Sequence, residues 1–113
     1  MRATLRPVDS REERLGRNES AFRAVNERIV DLRDRQGAVR FEIVCECSDT
    51  SCDAPLSISA ANYERARSDG TTFIVTAGHE DPTIERVVDQ SGGYVLVQKL
   101  GEAAQTAEAL DPR

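Results

Sequence analysis

Aromatic residues are scarce in this chain: they make up 4% of its 113 residues, and there is no tryptophan. The core must therefore be mostly aliphatic, and a chain of this length has room for one domain with a modest core. Small cores of that kind gain stability from a bound metal ion that cross-links the chain. The composition predicts one small globular domain whose packing benefits from a bound metal.

Long apolar runs are also missing. No segment approaches the length of a membrane span, and Met1 to Pro7 contain no apolar stretch typical of a secretory signal. The three cysteines cannot all pair within the chain. An odd cysteine count without a signal is typical of a reducing compartment and of metal or redox chemistry. We therefore expect a cytoplasmic protein with no membrane partner.

A basic stripe is absent, because 15 cationic residues are interleaved with 20 acidic ones and the net charge is −5. Affinity for nucleic acid depends largely on cations that contact phosphates, so this charge disfavours nucleic-acid binding. An arginine-rich patch on the first helix stays open as an exception. The sequence also lacks a Walker loop, a GxGxxG motif and a GxSxG elbow. These absences leave the cysteines and the histidine as the main carriers of chemistry.

Three cysteines and the only histidine form the most informative pattern in the chain. Cys45, Cys47 and Cys52 lie within eight residues, and His79 follows a predicted strand. Three thiolates and one imidazole are the Cys₃His donor set of a closed, tetrahedral zinc site. Cys45 and Cys47 share one face of a strand, and a turn at residues 48–51 can bring Cys52 back to them. The sequence predicts zinc bound by these four side chains and no catalytic residue at the metal.

Other interpretations of the same residues stay open. The cysteines can be small buried hydrophobic residues beside a surface histidine, and an iron–sulfur cluster is a weaker option because it usually takes four cysteines. If His79 is not a ligand, the fourth position is open, and Glu80 or Glu46 becomes a candidate general base of a zinc-dependent enzyme. The thiolates can alternatively act as a redox sensor that releases zinc. We expect the carboxylates of Glu46 and Asp49 to stay solvated.

The periodicities predict an α+β fold with a mainly antiparallel sheet. A helix from Asp9 or Ser10 to about Gln36 precedes the cysteine segment, and a helix near residues 60–68 follows it. Strands are predicted at 40–47, 56–58, 71–76, 84–89 and 94–100, with Ser91-Gly92-Gly93 as a hairpin turn. We expect a flexible leader at 1–9, one zinc-binding domain at 10–101 and a flexible tail at 102–113.

The first helix carries an apolar stripe with a/d-like spacing, which runs through Leu15, Phe22, Val25, Ile29 and Leu32. In one interpretation the stripe packs on the domain's own sheet. In the other, the helix protrudes and uses Phe22, Val25, Ile29 and Leu32 to bind a partner protein or a second copy. The stripe covers fewer than three heptads, which is short for a coiled coil.

The pattern as a whole resembles a group of small, uncharacterised bacterial proteins with an amphipathic N-terminal helix followed by a CxC…C…GH motif. The matching residues are Asn18-Glu19, Phe22-Arg23, Asn26-Glu27-Arg28-Ile29, Phe41, Cys45-Glu46-Cys47, Cys52, Asn62-Tyr63-Glu64, Arg67, Gly78-His79 and Tyr94-Val95, with Val97 and Lys99. The resemblance implies a shared metal site and no established activity. The sequence thus predicts a zinc-stabilised protein-interaction or regulatory module; the alternative is a zinc-dependent enzyme or a thiol redox sensor.

Overall fold

The computed structural model describes residues 11–47, 49, 51–52 and 54–113, the side chains of residues 11–14 excepted. The predicted leader at 1–9 lies outside this range. The described residues form three helices and five strands, in the order α1 (Arg11–Arg35), β1 (Arg40–Val44), β2 (Pro55–Ser59), α2 (Ala60–Ala66), β3 (Thr72–Thr76), β4 (Glu85–Ser91), β5 (Tyr94–Lys99) and α3 (Gly101–Ala109). All strand pairs among them are antiparallel, which confirms the predicted α+β class.

The strands form two small sheets. Strands β1 and β2 pair with each other, and the second sheet has the order β3-β5-β4. Alternation along β1 buries Phe41 and Ile43, and these pair with Ile58 and Leu56 of β2. The hairpin between β4 and β5 turns at Gly92 and Gly93, as predicted. The apolar faces of the two sheets form one continuous core.

Helix α2 begins where its sequence predicts. The side chain of Ser59 accepts a hydrogen bond from the backbone N–H of Asn62 at 3.1 Å, so Ser59 is the N-cap. The helix buries Tyr63, whose ring meets that of Phe41 edge to face with centroids 6.1 Å apart. This contact fixes α2 against the β1–β2 sheet.

Helix α1 faces the domain mainly with polar residues and Val30, and part of its apolar stripe is exposed. Glu19, Arg23 and Asn26 are fully buried, whereas Val25 is 46% exposed and Leu32 is 55% exposed. Arg23 explains this orientation, because its guanidinium donates to the carbonyl oxygens of Gly70 (2.6 Å) and Ala107 (2.8 Å). Val25 and Leu32 therefore do not pack on the domain's own sheet, and that interpretation of the stripe is wrong for these two residues.

Buried charge continues at the end of β5, where Lys99, the only lysine, lies between two carboxylates. Its Nζ donates to Glu19 of α1 and to Glu85 of β4, and all three side chains are at most 1% exposed. Arg23 and Lys99 also lie over the ring of Phe73, at 4.3 and 5.0 Å from its centroid. Burial lowers the pKa of Lys99, and the charge and hydrogen bond of Glu19 oppose that shift. The pairing therefore holds α1 against the three-stranded sheet.

Residues 102–113 do not form the flexible tail that we expected. Gly101–Ala109 form α3, which packs on α1 and β5 and buries Ala103 and Ala107. The close approach depends on Gly16 of α1, where a Cβ would lie 3.2 Å from Cβ of Thr106. A face made only of alanine gave too weak an amphipathic pattern to predict this packing.

None of the helices in the described ranges is both long enough and apolar enough to cross a membrane.

We predict that Lys99→Met lowers the free energy of unfolding by about 3–5 kcal/mol, because it leaves two carboxylates buried without their cation. Denaturant unfolding of the purified protein measures this loss. The matched control is Arg86→Met on β4, which removes a cation from an exposed position and should change stability by less than about 1 kcal/mol. Equal stability of the two variants would contradict the role given to the buried ion cluster.

Candidate metal centre

The four predicted ligands come together at the end of the two sheets. Cys45 and Cys47 follow β1, Cys52 precedes β2, and His79 follows β3. One ligand atom from each lies within 4.8 Å of every other. Cys45 and Cys47 are buried, Cys52 is half-buried and His79 is exposed. The cluster can therefore hold a metal ion at the surface end of the core.

The spacing of the donor atoms suits a tetrahedral ion. Nδ1 of His79 lies 3.6 Å from Sγ of Cys45 and 3.5 Å from Sγ of Cys52. Zinc bonds of about 2.3 Å to sulfur and about 2.0 Å to nitrogen give a tetrahedron with sulfur–nitrogen edges of about 3.5 Å. Both distances from the imidazole nitrogen match that edge. All four donor atoms lie within 4.8 Å of one another, which is compatible with their binding one ion.

Cys45 contacts the backbone of strand β3. The N–H of Thr76 donates to its Sγ, with a nitrogen–sulfur distance of 3.1 Å. Thr76 is the last residue of β3, so the same bond ties the first ligand to the second sheet.

The surroundings of Cys47 disfavour a free thiolate. Burial, together with the neighbouring sulfurs of Cys45 and Cys52, raises the pKa of the Cys47 thiol to about 12. A bound metal ion reverses this balance, because a coordinating thiol loses its proton to the ion. Cys47 is therefore better suited to a bound dication than to a free thiolate.

A side-chain-capped turn positions Cys52. Oδ1 of Asp49 accepts hydrogen bonds from the backbone N–H of Ser51 (2.9 Å) and from its hydroxyl (2.6 Å). The N–H of Cys52 then donates to the backbone carbonyl of Asp49 at 3.0 Å. Asp49 is exposed, as we expected, and braces the loop instead of approaching the donor cluster.

A glycine turn positions His79. Gly78 has a φ of +94°, a conformation that favours glycine, and its N–H donates to the side chain of Glu80 at 2.8 Å. The N–H of His79 donates to the carbonyl of Thr76 at 2.8 Å, which closes a tight turn directly after β3. The predicted placement just beyond a strand end is what brings the imidazole to the three sulfurs.

Glu46, which we expected to stay solvated, is fully buried between the two cysteine positions. Its Oε1 accepts from the N–H of Ile74 in β3 at 3.0 Å, and its Oε2 accepts from Nδ2 of Asn26 in α1 at 2.7 Å. Burial raises the pKa of Glu46 to about 7, although both hydrogen bonds favour the carboxylate. The prediction was wrong because helix α1 covers the outer side of this segment, which strand alternation alone would leave in water.

Asn26 completes the connection between α1 and the cysteine segment. Besides its bond to Glu46, its amide exchanges two hydrogen bonds of 2.8 Å with the backbone N–H and carbonyl of Val44. It thereby pairs with the end of β1 as a neighbouring strand would. No local feature of the sequence predicts the burial of Asn26, because a polar residue on a charged helix is usually solvated.

The predicted partner-binding residues lie elsewhere, on α1. Val25 and Leu32 are exposed, and Phe22 and Ile29 are half-buried along the same side of the helix. None of the four is a donor in the metal cluster. The chain therefore separates its candidate metal centre from its candidate docking face.

Comparison of the chain with protein-family models, with curated proteins and with solved structures found no match. The resemblance to small bacterial proteins consequently adds no family to the argument. What the structure supports is its metal-site component, the clustering of the three cysteines with the histidine.

We predict that Glu46→Gln lowers the free energy of unfolding by about 1–3 kcal/mol, because both carboxylate oxygens accept hydrogen bonds and the amide offers only one acceptor. Denaturant titration measures the loss. Glu42→Gln, at an exposed position of β1, makes the same chemical change and should be near neutral. Coincident unfolding curves for the two variants would show that the buried carboxylate does not brace this segment.

Proposed function

We propose that this protein is a zinc-stabilised interaction module with a structural Cys₃His centre. The observation that carries the proposal is the convergence of one donor atom from each of Cys45, Cys47, Cys52 and His79 within 4.8 Å of one another. The nitrogen of His79 lies at the edge length of a zinc tetrahedron from the sulfurs of Cys45 and Cys52. Soft sulfur donors with one imidazole favour zinc over magnesium, calcium or manganese, which prefer oxygen. The reducing compartment that suits free cysteines is the cytoplasm.

A structural role is favoured over a catalytic one. Four protein donors fill a tetrahedral ion and leave no position for the water that metal-assisted hydrolysis needs as its nucleophile. The two candidate general bases are also occupied: Glu46 is buried against Asn26 and Ile74, and Glu80 accepts from the backbone of Gly78. In this proposal zinc cross-links the segments after β1 and β3, which belong to different sheets.

The interaction role rests on the projecting end of α1. Residues 31–35, the last turn of α1, are exposed on every side of the helix, so this end of α1 projects from the domain. The stripe of Phe22, Val25, Ile29 and Leu32 runs into this projecting part. A row of apolar side chains on a supported helix is a common way to dock a partner protein.

We predict one zinc per chain in the purified protein, and a loss of zinc affinity of about 100-fold or more in His79→Ala, beyond the effect typical of residues that only support a ligand. Elemental analysis and competition with a chromogenic chelator measure both quantities. Thermal unfolding should occur at a lower temperature in the variant and in the chelated wild-type protein, because zinc binding contributes folding free energy.

Gln90→Ala, an exposed substitution on β4, is the control and should keep both zinc and stability. A wild-type protein without metal would contradict the zinc site itself. A stable His79→Ala protein that retains its zinc would instead show that the histidine is not a required ligand, and the zinc-enzyme alternative would regain its open position.

Two observations favour the redox-sensor alternative. Cys52 is the only partly exposed sulfur of the cluster, and Cys47 lies beside both other sulfurs. A peroxide could oxidise two thiolates to one disulfide and be reduced to water, with loss of zinc. Release of zinc by mild peroxide, with recovery after a thiol reductant and fresh zinc, would favour this function over a purely structural site.

A further inference from the structure

The apolar stripe of α1 has two unlike flanks. On one side of it, Glu19 and Asn26 are buried in the domain. On the other side, Ala21, Arg28 and Arg35 follow one another at intervals of seven residues and are exposed. When two helices pack along an apolar stripe, the charges of the residues that flank the stripe determine which partner helix binds. The first flank is closed at Glu19 and Asn26 and exposed at Arg33, so the flank with Ala21, Arg28 and Arg35 is the one that is open along the stripe.

The charge of this open flank is cationic in a protein whose net charge is −5. Arg28 and Arg35 lie next to Val25 and Leu32, respectively, so each exposed apolar residue has an arginine three positions later. Asp31 pairs with Arg35 at 3.1 Å but lies one step further around the helix, away from the stripe. The face that a partner would meet is therefore apolar with a basic edge.

We infer that the stripe docks an amphipathic helix of a different protein, one that carries aspartate or glutamate beside its apolar residues. This inference rests on the proposed interaction role and names the chemistry of the partner. The acidic residues of such a helix would lie against Arg28 and Arg35, where opposite charges attract and also reject partners with a basic edge.

A second copy of this chain fits the face poorly. Parallel pairing of two α1 helices brings Arg28 of one copy against Arg33 of the other. Antiparallel pairing centred on the stripe brings the two Arg28 side chains together. Like charges at these flanking positions oppose association. Self-pairing is therefore disfavoured in both orientations, whereas an acidic helix satisfies the same flank.

The length of the apolar stripe also suits one short helix. From Leu15 to Leu32 the stripe spans about 26 Å at about 1.5 Å per residue. Asn18 occupies a position within the stripe and is half-buried. A polar residue inside an apolar seam selects a register, because the partner must offer it a hydrogen bond. The match required is thus a helix of a few turns with an acidic flank.

The test uses two synthetic helical peptides of about three heptads, which differ only at the flanking positions. Both have leucine in the seam, and the flanks are glutamate in the acidic peptide and lysine in the basic peptide. Fluorescence anisotropy with the zinc-loaded protein measures binding. We predict that the acidic peptide binds more tightly, and that the double variant Arg28→Glu/Arg35→Glu loses about tenfold in affinity for it and gains affinity for the basic peptide.

Arg86→Glu is the matched control, since it reverses an exposed arginine on β4 and should leave peptide binding unchanged. Val25→Asp should abolish binding of both peptides. The proposal is overturned if neither peptide binds, if the two bind equally, or if the wild-type protein sediments as a dimer that Val25→Asp dissociates. It is also overturned if a short DNA duplex binds in place of the acidic peptide and is lost with the arginine reversal.

Zinc content is measured on every variant, which separates this proposal from the proposed metal centre. The charge variants should keep one zinc per chain, because α1 contributes no ligand to the cluster. A protein without zinc that still selects the acidic peptide would contradict the metal centre alone. A zinc-loaded protein without peptide selectivity would contradict the docking proposal alone.

Discussion

The segment Cys45-Glu46-Cys47 lies against β3, and the joining of the two sheets depends on this contact. The N–H of Glu46 donates to the carbonyl of Ile74 at 2.9 Å, and the side chain of Glu46 accepts from the N–H of Ile74. The N–H of Thr76 points at the sulfur of Cys45. Because backbone groups buried away from water need partners, these bonds fix how the two sheets meet. The same contact brings the turn after β3 to the cysteines, so the fold and the candidate metal centre are assembled together.

Buried polar groups give this small core its specificity as well as its cohesion. Arg23, Lys99 and Glu46 each connect α1 or its neighbours to a strand or helix that lies far away in the chain. An apolar interface of the same size would tolerate sliding, whereas a buried charge is stable only when its own partner is in place. With its polar side committed in this way, α1 presents apolar residues to the solvent. The exposure of these apolar residues is therefore a consequence of how the helix is held.

The elements that depend on local chemistry were predictable from the sequence. The cap at Ser59, the glycine turn at Gly92 and Gly93 and the alternation along β1 all act over a few residues, and each predicted element is present. The packing of helix α3 was not predicted, because its buried face consists of alanine, which becomes a packing face only beside Gly16 of α1. The helix propensity and the apolar periodicity of a segment contain no information about which helix will lie beside it.

The sequence by itself determined the donor set: three cysteines within eight residues and a single histidine after a strand define which atoms can bind a metal, since sulfur and imidazole chemistry belongs to the residues. Tertiary structure decided which surroundings those atoms receive. Whether Glu46 meets water or Asn26, and whether α1 turns its stripe inward or outward, depends on packing between segments far apart in the chain. Burial is a property of neighbours, and neighbours are settled only when the chain has folded.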